Sequence, residues 1–416
     1  MDVFGLMKKS IVNYSVLYLF PIISYHGYGW VGFDMRLWKL IHFIILPILF
    51  AYSCYGIKKK VHLVNRLKWV GLAFALSTLS SFIVMGQDII LSYRAMINIL
   101  NIVFLLFLIK AEFSQKDIEI FIWIDVLIYI VLWLYGLYCA PDIIFGEDDD
   151  PNINENRGIL RLNIANRGCI SLAMFYALNQ WRIKSNRWYL LIALFCFVLI
   201  ILMLSRMGIV IAFVLGIYYI LRNVKHKILY ISFGLLLSIF VTSQIKEDSV
   251  LGILISTSES EFERNQSGDK NVRLLEYEFF LFDDLNPITM VFGHGVPHSE
   301  SAYGKEYEKN GDVNHFYGSD VGWAFLYYQL GFVGLYAIIS LIWSCLMKPC
   351  DVSREYAKYV VVYFFICNIA SYALVTHMIH FCVATYLLSI QTQPKTLHMV
   401  RAIKDKKQLF RTKENT

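Results

Sequence analysis

Charge is what this sequence has least of. Asp, Glu, Lys and Arg make up 17% of its 416 residues, against about 25% in ordinary soluble domains. A chain that is 57% hydrophobic and so poor in charge cannot clothe a globular surface in polar groups, which excludes a soluble enzyme or binding module. The net charge of +6 does not make a nucleic-acid face, because most basic residues sit in short clusters between apolar runs. CxxC pairs are also missing. Cys54, Cys139, Cys169, Cys196, Cys345, Cys350, Cys367 and Cys382 lie in or beside apolar runs, and none falls in the long polar loop. Neither a disulfide framework nor a zinc site is expected. No small-residue cleavage site follows the first apolar run, so this run is read as a retained span. No repeat relates the two halves of the chain.

What the chain has instead is apolar length. Runs occur near 11–30, 38–57, 68–85, 93–109, 117–139, 164–181, 188–204, 208–222, 228–244, 322–346, 356–375 and 378–391. A span needs about 20 such residues, and in lipid each must close its own backbone hydrogen bonds as a helix. The expected fold is an all-α polytopic membrane protein of about twelve transmembrane helices. Nine would lie in 1–244 and three in 322–391, around one large extracytoplasmic loop at 245–321. A basic tail would follow at 392–416.

The charges set the orientation. Lys8 and Lys9 precede the first span, and Lys58, Lys59, Lys60, Arg66 and Lys68 follow the second. Lys110 and Lys116, then Arg182, Lys184 and Arg187, then Arg222, Lys225 and Lys227, then Lys348, Arg354 and Lys358 mark every second loop after that. This is the positive-inside pattern. Both termini are expected in the cytoplasm.

The outward cations are mainly arginines: Arg36, Arg94, Arg157, Arg161, Arg167, Arg206, Arg264 and Arg273. A rigid, permanently charged guanidinium suits phosphate oxygens, although any one of them is equally suited to snorkel to headgroups. Arg206 lies in Leu204-Ser205-Arg206-Met207-Gly208, a turn too short to hold it far from the membrane. It either lines a cavity or caps the preceding helix. The large loop holds a segment that reads as a helix capped by Asp269, with Val272, Leu275 and Phe279 on one face. Beyond it come Gly293-His294-Gly295, His298, His315 and Asp320. A histidine or carboxylate beside arginines can act as a general base, and each is also explained as a loop residue. Asp320 suits a helix N-cap. The acidic stretch Glu147–Asp150 lacks the spacing of a calcium loop.

Short motifs over residues 157–334 resemble the O-antigen polymerase and O-antigen ligase superfamily of bacterial surface-polysaccharide synthesis. Ser205-Arg206-Met207-Gly208 before an apolar run is similar to the family's Ser-Arg turn. Arg273, an amphipathic helix, Asn286-Pro287 and Gly293-His294-Gly295 resemble its Arg…Pro…Gly-x-Gly loop. Ser319-Asp320-Val321-Gly322-Trp323 and Gly331-Phe332-Val333-Gly334 resemble the start of its next helix. Arg157 and Gly168 have the spacing of the polymerases' Arg-x10-Gly element. The ligases' His pair would fall at Asp320-Val321, and the nearest histidine, His315, is five residues earlier, which favours polymerase.

The resemblance implies a GT-C-like membrane glycosyltransferase acting on undecaprenyl-pyrophosphate-linked oligosaccharide at the outer face of the inner membrane. Membrane lipids are implied neighbours, and a polysaccharide chain-length regulator is a candidate partner. Arg206 and Arg273, with Arg94, Arg157, Arg161 and His294, would hold the pyrophosphate and glycan. His315, Asp320 or Glu276 would take the acceptor's proton. Neither metal nor cofactor is called for. A transporter of lipid-linked sugar is the rival class, disfavoured because a repeat and mid-membrane breaks are its usual signs. A membrane O-acyltransferase is disfavoured because no histidine sits deep in a span beside an asparagine; His377 and His380 come nearest.

Overall fold

The apolar runs do fold as helices. The computed structural model describes residues 3–222 apart from 33, 56–61, 141, 143, 146–152, 155–158, 161, 163 and 204, and residues 272–390 apart from 283–285 and 315. In chain order the helices are α1 (Val3–Ser24), α2 (Met35–Cys54), α3 (His62–Val84), α4 (Ile89–Ala95), α5 (Ile97–Leu100), α6 (Val103–Ala111) and α7 (Gln115–Cys139). A two-residue antiparallel ladder, β1 (Ile153–Asn154) and β2 (Ile159–Leu160), follows. Then come α8 (Gly168–Lys184), α9 (Arg187–Leu202), α10 (Arg206–Leu221), α11 (Val272–Phe282), α12 (Pro287–Phe292) and α13 (Ala302–Asn314). The chain continues with α14 (Gly322–Met347), α15 (Tyr356–Cys367), α16 (Ala373–Thr376) and α17 (Met378–Ser389). Every apolar run holds a helix except 228–244, which lies outside the described residues, as does the first part of the loop at 245–321, up to residue 271.

The chain is a helical membrane protein. Helices α2, α7, α14 and the Leu63–Val84 stretch of α3 are long and apolar enough to cross a bilayer, and a fifth crossing appears if α4 and Ile97–Ala111, bent by 65°, form one span. That is fewer than the twelve runs, because 228–244 lies outside the described residues and several of the other helices are short. Helices α9 and α10 have 16 residues each and α15 and α17 have 12 each, short of the roughly 20 that a straight crossing takes.

Helix α8 is the axis of the bundle. Every residue from Gly168 to Gln180 is buried, with α7, α9, α10, α15 and α17 packed round it. Such a helix is apolar on all sides because all its sides are core. The basic loops gather at one end. The Lys110 ammonium is bonded to the carbonyl of Tyr52 at 2.8 Å. Glu355 takes Arg182 at 2.5 Å and Arg222 as well, and Ser353 reaches Gln115 at 3.2 Å. The buried Arg354 donates to the carbonyls of Leu387 and Ile390.

At the opposite end three helices break. Helices α4 and α5 part at Met96, α14 turns non-helical at Gly331 (φ 64°, ψ −172°), and α15 gives way to α16 and α17 through Asn368–Tyr372 and His377. Broken backbone inside a bundle survives only where protein groups or a cavity take up its polar atoms. Here they do. The N–H of Trp323 donates to the Asn368 carbonyl (3.1 Å), and that of Tyr372 to Ser319 (2.8 Å). The N–H groups of His294 and Gly295 donate to the carbonyls of Tyr328 (2.8 Å) and Gln329 (3.0 Å), freed by the break at Gly331. The Ser77 hydroxyl also donates to the Gln329 carbonyl at 2.6 Å.

Candidate functional site

The three breaks converge on one cavity of about 240 Å³. Ala95, Asn98 and Ile99 come from the α4–α5 break, Val296 and Pro297 from the loop after α12, and Gly304, Tyr307 and Glu308 from α13. Phe325 and Gln329 of α14 and Tyr372 and Val375 beside α16 complete it. It lies at the end of the bundle away from the basic loops. Its walls are aromatic, with Tyr307 and Phe325 stacked at 6.1 Å. At its base the buried Gln329 accepts a hydrogen bond from the Tyr372 hydroxyl. Among the described residues Glu308 is the charged residue of the lining, and no lysine or arginine contributes to it. Aromatic faces with a few convergent amides and hydroxyls make a small-molecule site. A lining without cations is a poor seat for pyrophosphate.

None of the described residues singled out in the sequence lines this cavity, but several surround it. Glu276 is 1% exposed and belongs to the wall behind Tyr307. One carboxylate oxygen accepts from the Tyr317 N–H at 3.0 Å; the other is buried without a partner among the described residues. Burial pushes this carboxyl up, with help from the nearby Asp320, against the pull of the Tyr317 N–H and Arg273. Asp320 ends a 3-10 turn, Gly318–Asp320, and the N-cap of α14 is Val321, which supplies no side-chain cap. The N-cap expected at Asp320 is therefore corrected: the turn carries the chain one residue further before the helix starts. The apolar face of α11 is also shifted, because docking on α14 turns Glu276 and Phe280 inward and leaves Val272 51% exposed. Asp269 lies outside the described residues.

His294 is buried and its ring stacks on Tyr328 at 4.2 Å, with Nδ1 3.2 Å from the Tyr328 carbonyl. Those contacts fasten the Gly-His-Gly loop to the broken helix. Arg94 forms an exposed bidentate pair with Glu300, at 3.0 and 3.3 Å. Arg206 is the first residue of α10. The helices that carry Arg206 and Arg273 both reach the second half of α15 and the residues just after it. Position 208 abuts the Tyr363 hydroxyl, and Tyr277, on the helix of Arg273, donates to the Ile369 carbonyl at 2.6 Å. Arg157, Arg161 and His315 lie outside the described residues, as does Glu147–Asp150.

The interior holds polar groups, of which the sequence pointed only to His377 and His380. His380 is fully buried, with Nε2 2.9 Å from Asp125 and Nδ1 3.2 Å from the Tyr25 hydroxyl. Asn166 donates to the other Asp125 oxygen at 2.6 Å. His42 is also fully buried, 2.8 Å from Asn101. A histidine beside an asparagine deep in the bundle therefore exists, which removes the reason first given against an acyltransferase. The His42 ring is enclosed, its second nitrogen facing His26 at 3.4 Å, and it does not line the cavity. The overlooked signal was a polar residue within an apolar run, which is costly in a membrane and marks a built site.

The Glu276 carboxyl gives a pH prediction. Its folded-state value is raised, so its contribution to stability is fully present below the ordinary carboxyl range and is lost as pH rises through the raised value. Glu276→Gln mimics the protonated form. Its thermal midpoint is expected to exceed that of the wild type by a few degrees near neutral pH, with the difference vanishing in acid. Equal midpoints at all pH values would show that the carboxyl is solvated.

No protein-family model matches the chain, and no curated protein matches it.

Proposed function

We propose that the chain is a membrane glycosyltransferase that polymerises undecaprenyl-pyrophosphate-linked oligosaccharide repeats at the periplasmic face of the bacterial inner membrane. The cavity where three broken helices meet carries this reading. It is aromatic and amide-lined, and among the described residues it has no cation, as a glycan subsite should be, while Arg206 and Arg273 lie outside its lining. The glycan sits in the cavity and the donor pyrophosphate outside it against the arginines. Charge developing on the leaving pyrophosphate is stabilised by fixed guanidiniums, so the scheme works without a metal. The acceptor hydroxyl oxygen bonds to the anomeric carbon with inversion. The bond to pyrophosphate breaks and its electron pair leaves with the phosphate. The hydroxyl proton passes to a base, for which His315 ranks before Asp320 and Glu276. Bringing the two lipid-linked chains together supplies most of the rate, since pyrophosphate already leaves well.

The breaks themselves support a second reading, a transporter of lipid-linked sugar, since discontinuous helices round a central site are characteristic of transporters. One experiment separates the two. The gene is deleted in its host, and wild type, Arg273→Ala, Arg273→Lys and Gln329→Ala are restored in turn. Surface lipopolysaccharide is then resolved on a gel. For a polymerase the deletion leaves lipid A-core capped by a single repeat, Arg273→Ala and Gln329→Ala look like the deletion, and Arg273→Lys keeps part of the ladder. Uncapped core with long lipid-linked polymer would indicate a ligase. Loss of the ladder with no lipid-linked polymer outside would indicate transport. Full activity in Arg273→Ala would remove that arginine from the clamp.

A further inference from the structure

We propose that Asp125, Cys169 and His380 bind a zinc ion in the middle of the bundle, a site independent of the glycan chemistry. The three side chains come from α7, α8 and α17, and one ligand atom of each lies within 4.8 Å of the other two. Their exposures are 3%, 1% and 0%. A carboxylate enclosed this deeply needs a counter-charge, because bringing an ion out of water costs several kcal/mol. A divalent ion bound by one carboxylate and one thiolate leaves the centre neutral. Mixed oxygen, nitrogen and sulfur donors in a compact set fit zinc and do not fit magnesium or calcium, which take oxygen alone.

The atoms behind the ligands are arranged as a metal site requires. A ligating imidazole is oriented by a hydrogen bond on its other nitrogen, and a ligating carboxylate by one on its other oxygen. Tyr25 stands 3.2 Å from His380 Nδ1, and Asn166 donates to Asp125 Oδ1 at 2.6 Å, leaving Nε2 and Oδ2 facing each other at 2.9 Å. Bonds of about 2.0–2.3 Å to a tetrahedral ion set ligand atoms roughly 3.3–3.8 Å apart. Admitting the ion takes a small opening of the His380–Asp125 contact and an inward shift of at most about 1 Å elsewhere. The Asn166 amide oxygen is buried and without a partner among the described residues, which makes it a candidate fourth ligand. The ion would tie the short, re-entering α17 to the bundle axis at α8 and to α7.

The test uses the full chain, purified in nanodiscs from zinc-supplemented cells and washed with chelator. About one zinc per chain is expected by elemental analysis, as for a closed four-ligand site. Exchange for cobalt(II) should give the visible bands of a tetrahedral centre and a sulfur-to-cobalt charge-transfer band in the near ultraviolet. Cys169→Ser should lose the charge-transfer band, and Asp125→Asn should lose most of the bound metal. If the wild type holds no stoichiometric metal and takes up no cobalt, the proposal falls, and Asp125–His380 is a hydrogen-bonded pair only. If metal is bound but Cys169→Ser leaves the spectrum unchanged, the ion sits elsewhere and the proposal falls as well. The wild-type measurement decides even where a variant fails to fold.

Discussion

Gly293→Ala should detach the Gly-His-Gly loop from α14, with loss of the folded cavity. At φ 87° and ψ 163° Gly293 occupies a backbone region open essentially to glycine alone, where another residue costs about 1–3 kcal/mol. Steric contact adds to that. A Cβ on Gly293 would lie 2.2 Å from the Gln329 carbonyl oxygen and 2.6 Å from the Leu330 nitrogen. These are backbone atoms and cannot swing aside. Gly331, in the same region of backbone space, presses from the other side, with its own Cβ position 2.4 Å from the Gly293 nitrogen. To admit a methyl group the loop must withdraw, which forfeits the N–H bonds of His294 and Gly295, each worth about 1 kcal/mol. The total is about 3–5 kcal/mol, the scale of a severe single substitution. Gly71→Ala is the control, because Gly71 lies within α3 with nothing within 4 Å of its Cβ position. It should leave stability unchanged or slightly improved. Thermal unfolding of both variants in detergent checks the pair, and a near-native midpoint for Gly293→Ala would mean that the loop does not dock on the break.

The helices were legible because burial in lipid leaves a composition signal that survives without any periodicity. Lys110, Arg182, Arg222 and Arg354 were legible as one end of the molecule because clusters of cations recur after every second apolar run, and their contacts bring them there. The breaks were not legible. Nothing in Tyr93–Asn98 or Asn368–Tyr372 is proline or glycine. The breaks are made by partners far along the chain, such as the Ser319 carbonyl that takes the N–H of Tyr372. The cavity was invisible for the same reason. Gln329 and Tyr372 are ordinary residues of apolar runs until the fold joins them. Charge drew attention to Arg94, which the structure spends on Glu300, while Glu276 gained its significance from burial, which a loop helix does not announce. Asp125 and His380 stand 255 positions apart, so no spacing rule relates them, although a carboxylate at the centre of the 117–139 run was itself the clue.

That pair carries the other large effect. His380→Ala is expected to cost roughly 2–6 kcal/mol, about 1–3 for each of the two buried polar groups it leaves without a partner. The substitution empties a fully buried site and strips the Asp125 carboxylate of one hydrogen bond and the Tyr25 hydroxyl of another. Asp125→Ala should cost a similar amount, because His380 and Asn166 are then left facing a void. The double variant is the discriminating case. If the two side chains act on each other, removing the second adds little once the first is gone. The sum of the single effects should then exceed the double by about 1–3 kcal/mol, as for residues in contact. Replacing both by leucine should recover part of the loss, since a well-packed apolar pair is often at least as stable as the buried ions it replaces. Unfolding of purified variants by titration with a denaturing detergent in mixed micelles measures all four corners of the cycle. Additive losses would mean that the 2.9 Å contact contributes nothing. A coupling of the expected size would make α7 and α17 one mechanical unit through a hydrogen bond that joins a helix of the first half of the chain to its last.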